Sequence, residues 1–151
     1  MKPKKILKDL RVKHGLSQDA MAERLFVTRQ AVSRWETGKT VPNIETLRLI
    51  SKEFGVSINT LLGDTERLHC QACGMPMGDT DIARERHGEF NEKYCRWCWS
   101  WEEEKYIGPD NMEAMIEIVA PHMGMPLDAA REFLRKQLPR LEHWRERGDT
   151  P

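Results

Sequence analysis

No cysteine occurs before Cys70 or after Cys98 in this 151-residue chain, so no disulfide framework can span the whole fold. No apolar run approaches the roughly 20 residues that a membrane-spanning helix needs. The Met-Lys-Pro-Lys-Lys start leads into an amphipathic stretch rather than the apolar core of a signal peptide, and the expectation is a soluble, cytoplasmic protein without a membrane partner. Internal repeats, low-complexity tracts and a Gly-rich phosphate loop are all missing. His14, His122 and His143 have no recognisable nucleophile partner, and the carboxylates fall in solvated runs, so the chain reads as a non-enzyme.

Net charge is also missing, but only on average. Met1 to Asp64 holds twelve Lys/Arg against seven Asp/Glu, and Thr65 to Pro151 holds twelve against seventeen, giving halves of +5 and −5. A basic half suits a polyanion and an acidic half does not, which assigns any nucleic-acid surface to the first half. The length allows two small cores. We read a mainly α chain with a first domain over residues 3–63, a short polar linker at 64–68, and a second domain over 69–147.

Hydrophobic spacing and cap residues predict five short helices in the first domain. Lys4 to His14 puts Ile6, Leu7 and Leu10 on one face before Gly15. Ser17 caps a helix over Gln18 to Leu25, and Thr28 caps a third over Arg29 to Thr37 that stops at Gly38. Ala31, Val32 and Trp35 form its inner stripe, leaving Arg29, Gln30, Ser33 and Arg34 outside. Pro42 and Asn43 open a fourth helix with Leu47, Ile50 and Phe54 inward, and Ser57 caps a last turn ending at Gly63. Only Phe26, Val27 and Thr28 separate the second and third helices, a connection short enough to set them at a steep angle.

The run Leu16-Ser-Gln-Asp-Ala-Met-Ala-Glu-Arg-Leu-Phe-Val-Thr-Arg-Gln-Ala-Val-Ser-Arg-Trp-Glu-Thr-Gly-Lys-Thr-Val-Pro resembles the phage-repressor (Cro-like, XRE) helix-turn-helix family, over about Lys4 to Gly63. The resemblance implies a five-helix, lambda-repressor-like domain that binds double-stranded DNA, and since one such domain contacts too few bases and phosphates to compete with nonspecific DNA, a homodimer on a pseudo-palindromic operator is expected. It implies that Gln18 holds the DNA backbone and buttresses the third helix. Arg29, Gln30, Ser33 and Arg34 would face the major groove, and Arg11 and Glu36 would form a structural ion pair. Side-chain chemistry agrees: Gln30 can pair with adenine N6 and N7, and Arg29 or Arg34 with guanine O6 and N7. Lys39, Thr40 and Asn43 look like phosphate contacts, and Thr28 joins this DNA-facing set. Trp35 is read as core.

The second domain opens on Cys70-Gln-Ala-Cys73-Gly74, and after residues 74–94 comes Cys95-Arg-Trp-Cys98. Two residues between cysteines let both thiolates of a turn face one ion, and four thiolates suit Zn²⁺ in a closed tetrahedral shell. A redox dithiol and a rubredoxin-like iron site use the same residues. His69 and His87 lie near enough to be substitute ligands but read as surface histidines. The pairs Met75/Met77 and Met123/Met125 could hold Cu(I), though gap-filling core is the plainer reading. Trp97, Trp99 and Trp101 sit beside Glu102, Glu103 and Glu104, which argues against a single-stranded nucleic-acid platform. Packing around the metal is expected of them first, a partner surface second.

Past the cysteines, Asp110 or Asn111 caps a helix with Met112, Met115, Ile116 and Val119 inward, ended by Pro121 and Gly124. Asp128 opens another, with Ala130, Phe133, Leu134 and Leu138 on its apolar face. From Cys70 to about Trp144 the chain is similar to a bacterial zinc-ribbon domain, with its Cys-Gln-x-Cys-Gly-Met-Pro-Met opening, Tyr-Cys-x-x-Cys second turn and Leu-Pro-x-Leu-x-x-Trp close. It departs from that pattern at Trp99-Ser-Trp101. The expected function is a sequence-specific transcriptional regulator whose zinc domain dimerises or receives a signal. The competing expectation is an antitoxin-like adaptor that binds a protein partner through its acidic second domain, with DNA binding secondary.

Overall fold

The computed structural model describes residues 3–63 and 68–148, and the chain divides into two compact units, Met1–Glu66 and Arg67–Pro151. Most of the expected linker, residues 64–67, lies outside the described residues.

The first unit is five helices: α1 (Pro3–Lys13), α2 (Gln18–Arg24), α3 (Arg29–Thr37), α4 (Ile44–Phe54) and α5 (Ile58–Leu62). Four of them start on a side chain that satisfies a free amide. Ser17, Thr28, Asn43 and Ser57 accept from the amides of Ala20, Ala31, Thr46 and Thr60. Gly38 ends α3 at φ 75°, a left-handed geometry that lets its amide reach back to the last carbonyls. The apolar stripes meet in one core holding Leu7, Met21, Val32, Trp35, Ile50, Phe54 and Leu61.

The turn between α2 and α3 contains Phe26 at φ 54°, a left-handed conformation that a residue with a Cβ adopts at a cost. Its ring is 88% exposed, so packing does not explain the conformation.

The second unit adds three antiparallel hairpins that the sequence pattern did not reveal, because every strand except the six-residue Phe90–Cys95 is only two or three residues long, too short for alternation to register. β1 (Leu68–His69) pairs with β2 (Pro76–Met77), β3 (Ile82–Arg84) with β4 (Phe90–Cys95), and β5 (Trp99–Ser100) with β6 (Lys105–Tyr106). A bulge between Ile82 and Ala83 shifts the β3–β4 register. Helices α6 (Met112–Val119), α7 (Leu127–Gln137) and α8 (Glu142–Arg147) follow, with 3-10 turns at Ala120–His122 and Leu138–Arg140 where Pro121 and Pro139 sit. Asn111 caps α6. α7 begins one residue before the expected Asp128, directly after Pro126, and Asp128 instead lies in its first turn, where the helix dipole favours a carboxylate. Its buried side is Ala130 and Leu134. Phe133, expected inward, is largely exposed, one residue-step of about 100° off that stripe.

Candidate DNA-facing helix and four-cysteine centre

The polar face of α3 is assembled on a fixed base. Arg11 on α1 clamps Glu36 through Nε and, at 3.1 Å, Nη2, while its Nη1 donates to the carbonyl of Leu16 at 2.7 Å. Gln18 Nε2 donates to Glu36 Oε2 at 2.9 Å, so the first residue of α2 is locked to the last turn of α3. Burial pushes the Glu36 carboxyl up, but hydrogen bonds from Arg11 and Gln18 outweigh it and hold the group below the ordinary carboxylate value. The expected ion pair is present, and Gln18 buttresses α3 as the resemblance implied.

Above this network, Gln18, Arg29, Gln30, Ser33, Arg34 and Lys39 line one shallow, open concavity. Trp35 and Val32 on the opposite side of α3 are buried, which fixes the rotation of the helix and hence which side chains face out. Thr28, Thr40 and Asn43 are exposed but do not line the concavity. Thr28 and Asn43 spend one lone pair each on capping, leaving a hydroxyl hydrogen and an amide group as free donors. Sequence reasoning did not foresee that Asp19 on α2 lies 3.5 Å from Arg29 Nε, an exposed pair that orients the guanidinium without engaging it strongly.

In the second unit the four sulfurs of Cys70, Cys73, Cys95 and Cys98 lie within 4.8 Å of one another, and all four residues are buried. Cys73 Sγ and Cys95 Sγ are 3.8 Å apart. A tetrahedron with metal–sulfur bonds of about 2.3 Å has edges of about 3.8 Å, the Cys73–Cys95 separation, so four buried thiols gathered this closely suit zinc as a donor set. Both turns are hydrogen-bonded: the Gly74 amide donates to Cys70 O at 2.9 Å, and the Cys98 amide to Cys95 O at 3.0 Å. Gly74 adopts φ 74°, which the first turn requires. Hydrogen bonds from Cys73 and then from Cys95 and Cys98 pull the Cys70 thiol far below its ordinary value, while the same Cys70–Cys73 bond pushes Cys73 up.

The helical tail closes on the first turn. Trp144 is fully buried and its Nε1 donates to the carbonyl of Ala72 at 2.7 Å; Gln71 Oε1 accepts from the Glu142 amide and its carbonyl from the His143 amide. Lys93 Nζ reaches Glu142 at 2.7 Å and Glu146 at 3.3 Å. His143 is buried, with Nδ1 3.0 Å from the Tyr94 hydroxyl, and burial lowers its pKa. The sequence reading missed this role for His143. Its place beside the buried Trp144 was the available signal. His69 and His87 are exposed and stand outside the sulfur cluster, and Met125 is exposed as well. Of the three clustered tryptophans only Trp99 packs inward, stacked on Tyr94 at 5.4 Å; Trp97 and Trp101 are more than half exposed, against the expectation that they pack around the metal.

A compact five-helix unit with a buttressed polar helix, followed by a ribbon of hairpins around four thiols, defines a helix-turn-helix protein with an appended zinc ribbon. The chain belongs to the family described as "Putative zinc ribbon domain", matched over residues 69–145, and carries a domain of the family described as "Helix-turn-helix" over residues 7–61. It is 48% identical over 60 residues to the HTH-type transcriptional activator BcrR of Enterococcus faecalis, covering 40% of this chain and 29% of that one. It is 42% identical over 59 residues to the prophage-derived HTH-type transcriptional regulator YonR of Bacillus subtilis, covering 39% and 55%. With the HTH-type transcriptional regulator PuuR of Escherichia coli it shares 35% over 65 residues, 43% of this chain and 35% of that one. The matches thus span between about a third and about half of these relatives' lengths. Among the described residues, no helix is long and apolar enough to cross a membrane.

Proposed function

We propose that this chain is a sequence-specific, DNA-binding transcriptional regulator that works as a homodimer. Arg29, Gln30, Ser33 and Arg34 address base edges in the major groove, while Gln18, Thr28, Lys39, Thr40 and Asn43 hold phosphates. One such domain contacts too few bases to compete with nonspecific DNA, and two related by a twofold axis read two half-sites a helical turn apart. Cys70, Cys73, Cys95 and Cys98 hold zinc, whose contribution with four thiolates is to organise the fold, since no coordination position is left for a substrate. The second domain dimerises the protein or passes on a signal.

The observation that carries this reading is the concavity on α3, lined by six polar side chains, four of them arginine, lysine or glutamine of α3 and its C-terminal loop, over a locked Arg11–Glu36–Gln18 base. Gel-shift titration of the purified protein on its own upstream DNA tests it. A shift whose affinity falls steeply with salt supports the reading. A co-purifying protein partner with no shift supports the adaptor instead.

A further inference from the structure

Trp97 is 56% exposed and Trp101 53% exposed, while the intervening Trp99 is half-buried on Tyr94. Ile107 is 47% exposed, and its amide donates to the carbonyl of Cys98 at 3.0 Å, which sets it opposite the last residue of the second cysteine turn. Single exposed apolar residues need no explanation. These three belong to one short segment: only three residues lie between the two tryptophans, a span of at most about 14 Å. They also sit on a turn held by two thiol ligands and a hairpin, so little conformational freedom is lost when they are covered.

The charges around them are unevenly committed. Glu103 and Glu104 are paired with Lys105 and Arg86. Among the described residues, the Glu102 carboxylate has no cation within ion-pair distance. Arg96 has no carboxylate partner among them either, and its guanidinium lies 5.5 Å from the centre of the Trp97 ring. Within the described residues, the patch therefore presents an uncommitted cation beside Trp97 and an uncommitted anion beside Trp101. Tryptophan and arginine are the side chains most enriched at the centres of protein interfaces.

We propose that this face is the interface between two copies of this chain, related by a twofold axis, with Trp97 and Trp101 of both copies at its centre and Arg96 of each copy paired with Glu102 of the other. A twofold partner answers both charges with the same two residues, as a self-complementary interface requires. A polyanion does not, because Glu102, Glu103 and Glu104 repel it. A standard interface covers about 800 Å² per partner, and two half-open tryptophans with Ile107 supply about a third of that. The dimer is accordingly concentration-dependent. The proposal rests on the homodimer in the function proposed above and is independent of which bases α3 reads.

Sedimentation of the full zinc-loaded chain over a range of concentrations tests it. The parent sediments as a dimer, and Trp97→Ala and Trp101→Ala each weaken the dimer at least tenfold with zinc content unchanged. Arg96→Glu and Glu102→Arg each weaken it, since a copy of either variant faces like charges at both contacts. An equimolar mixture of the two restores dimerisation, because every contact then joins opposite charges. The idea is overturned if the parent is monomeric at all concentrations, if the dimer survives these variants unchanged, or if the mixture stays as weak as its components. DNA binding by the same samples separates the two proposals: a dimer that responds as described without any DNA shift leaves the interface standing and removes the regulator reading.

Discussion

Trp144 Nε1 donates to the carbonyl of Ala72 at 2.7 Å, joining the last helix to the middle of the first Cys-x-x-Cys turn across 72 residues of chain. Gln71, the neighbour of Ala72, caps the same helix, so the backbone between Cys70 and Cys73 is where α8 docks. A metal that fixes this turn also fixes the docking surface.

Chelation is therefore expected to release the C-terminal helix along with the hairpins, seen as a red shift and loss of Trp144 fluorescence, while the first unit keeps its helical circular dichroism. Because linkage is reciprocal, Trp144→Phe, which removes the hydrogen bond and some volume at a cost of about 2 kcal/mol, lowers zinc affinity roughly thirtyfold. Competition titration with a chelator of known affinity measures this. Unchanged zinc affinity in Trp144→Phe would show that tail and metal are independent.

The Arg11–Glu36–Gln18 network predicts a specific response to substitution and to pH. Glu36→Ala leaves Arg11 without its carboxylate at a largely buried site and costs about 3 kcal/mol in urea unfolding. The folded Glu36 carboxyl titrates below its unfolded value, so its contribution is fully present above about pH 4.3 and is lost as pH falls through the folded value. Stability of the first unit should therefore fall as pH drops below about 4.3, and Glu36→Gln should flatten that acid limb of the profile. An unaltered profile in Glu36→Gln assigns the acid sensitivity elsewhere.

Phe26→Gly is expected to stabilise the protein. A side chain at φ 54° costs about 1–2 kcal/mol, and nothing is packed against this exposed ring. Glycine removes that cost and adds about 0.5–1 kcal/mol of unfolded-state freedom, for a net gain of up to about 1 kcal/mol in chemical denaturation. A loss of stability would mean that the ring makes a contact in solution, which would point to a partner surface at the α2–α3 turn.

Much of this architecture is legible in the order of the residues. Asn43, Ser57 and Thr28 are cap residues directly ahead of apolar stripes, and the structure uses all three as caps. Two Cys-x-x-Cys pairs announce a tetrahedral donor set because the spacing itself determines which way two thiols point. What sequence hid follows from geometry as well. Strands of two or three residues, as in β1, β2 and β6, carry no readable alternation. Trp97, Trp99 and Trp101 share a residue type and a neighbourhood, yet only pairing of Trp99 with Tyr106 across a hairpin decides that one turns inward while the others stay open. His143 offered only its place beside Trp144, and its partner Tyr94 lies 49 residues away.

Base reading by α3 is tested most directly by selection of binding sites from random duplexes, run on the parent beside Gln30→Ala, Arg34→Ala and Lys39→Ala. A pseudo-palindromic site is expected for the parent. Gln30→Ala and Arg34→Ala should each lose preference at one base position per half-site, costing about 1–3 kcal/mol there, while Lys39→Ala weakens binding uniformly and lowers the salt dependence by about one phosphate contact. An unenriched pool with the parent, or uniform weakening in all three variants, would contradict base reading by this helix.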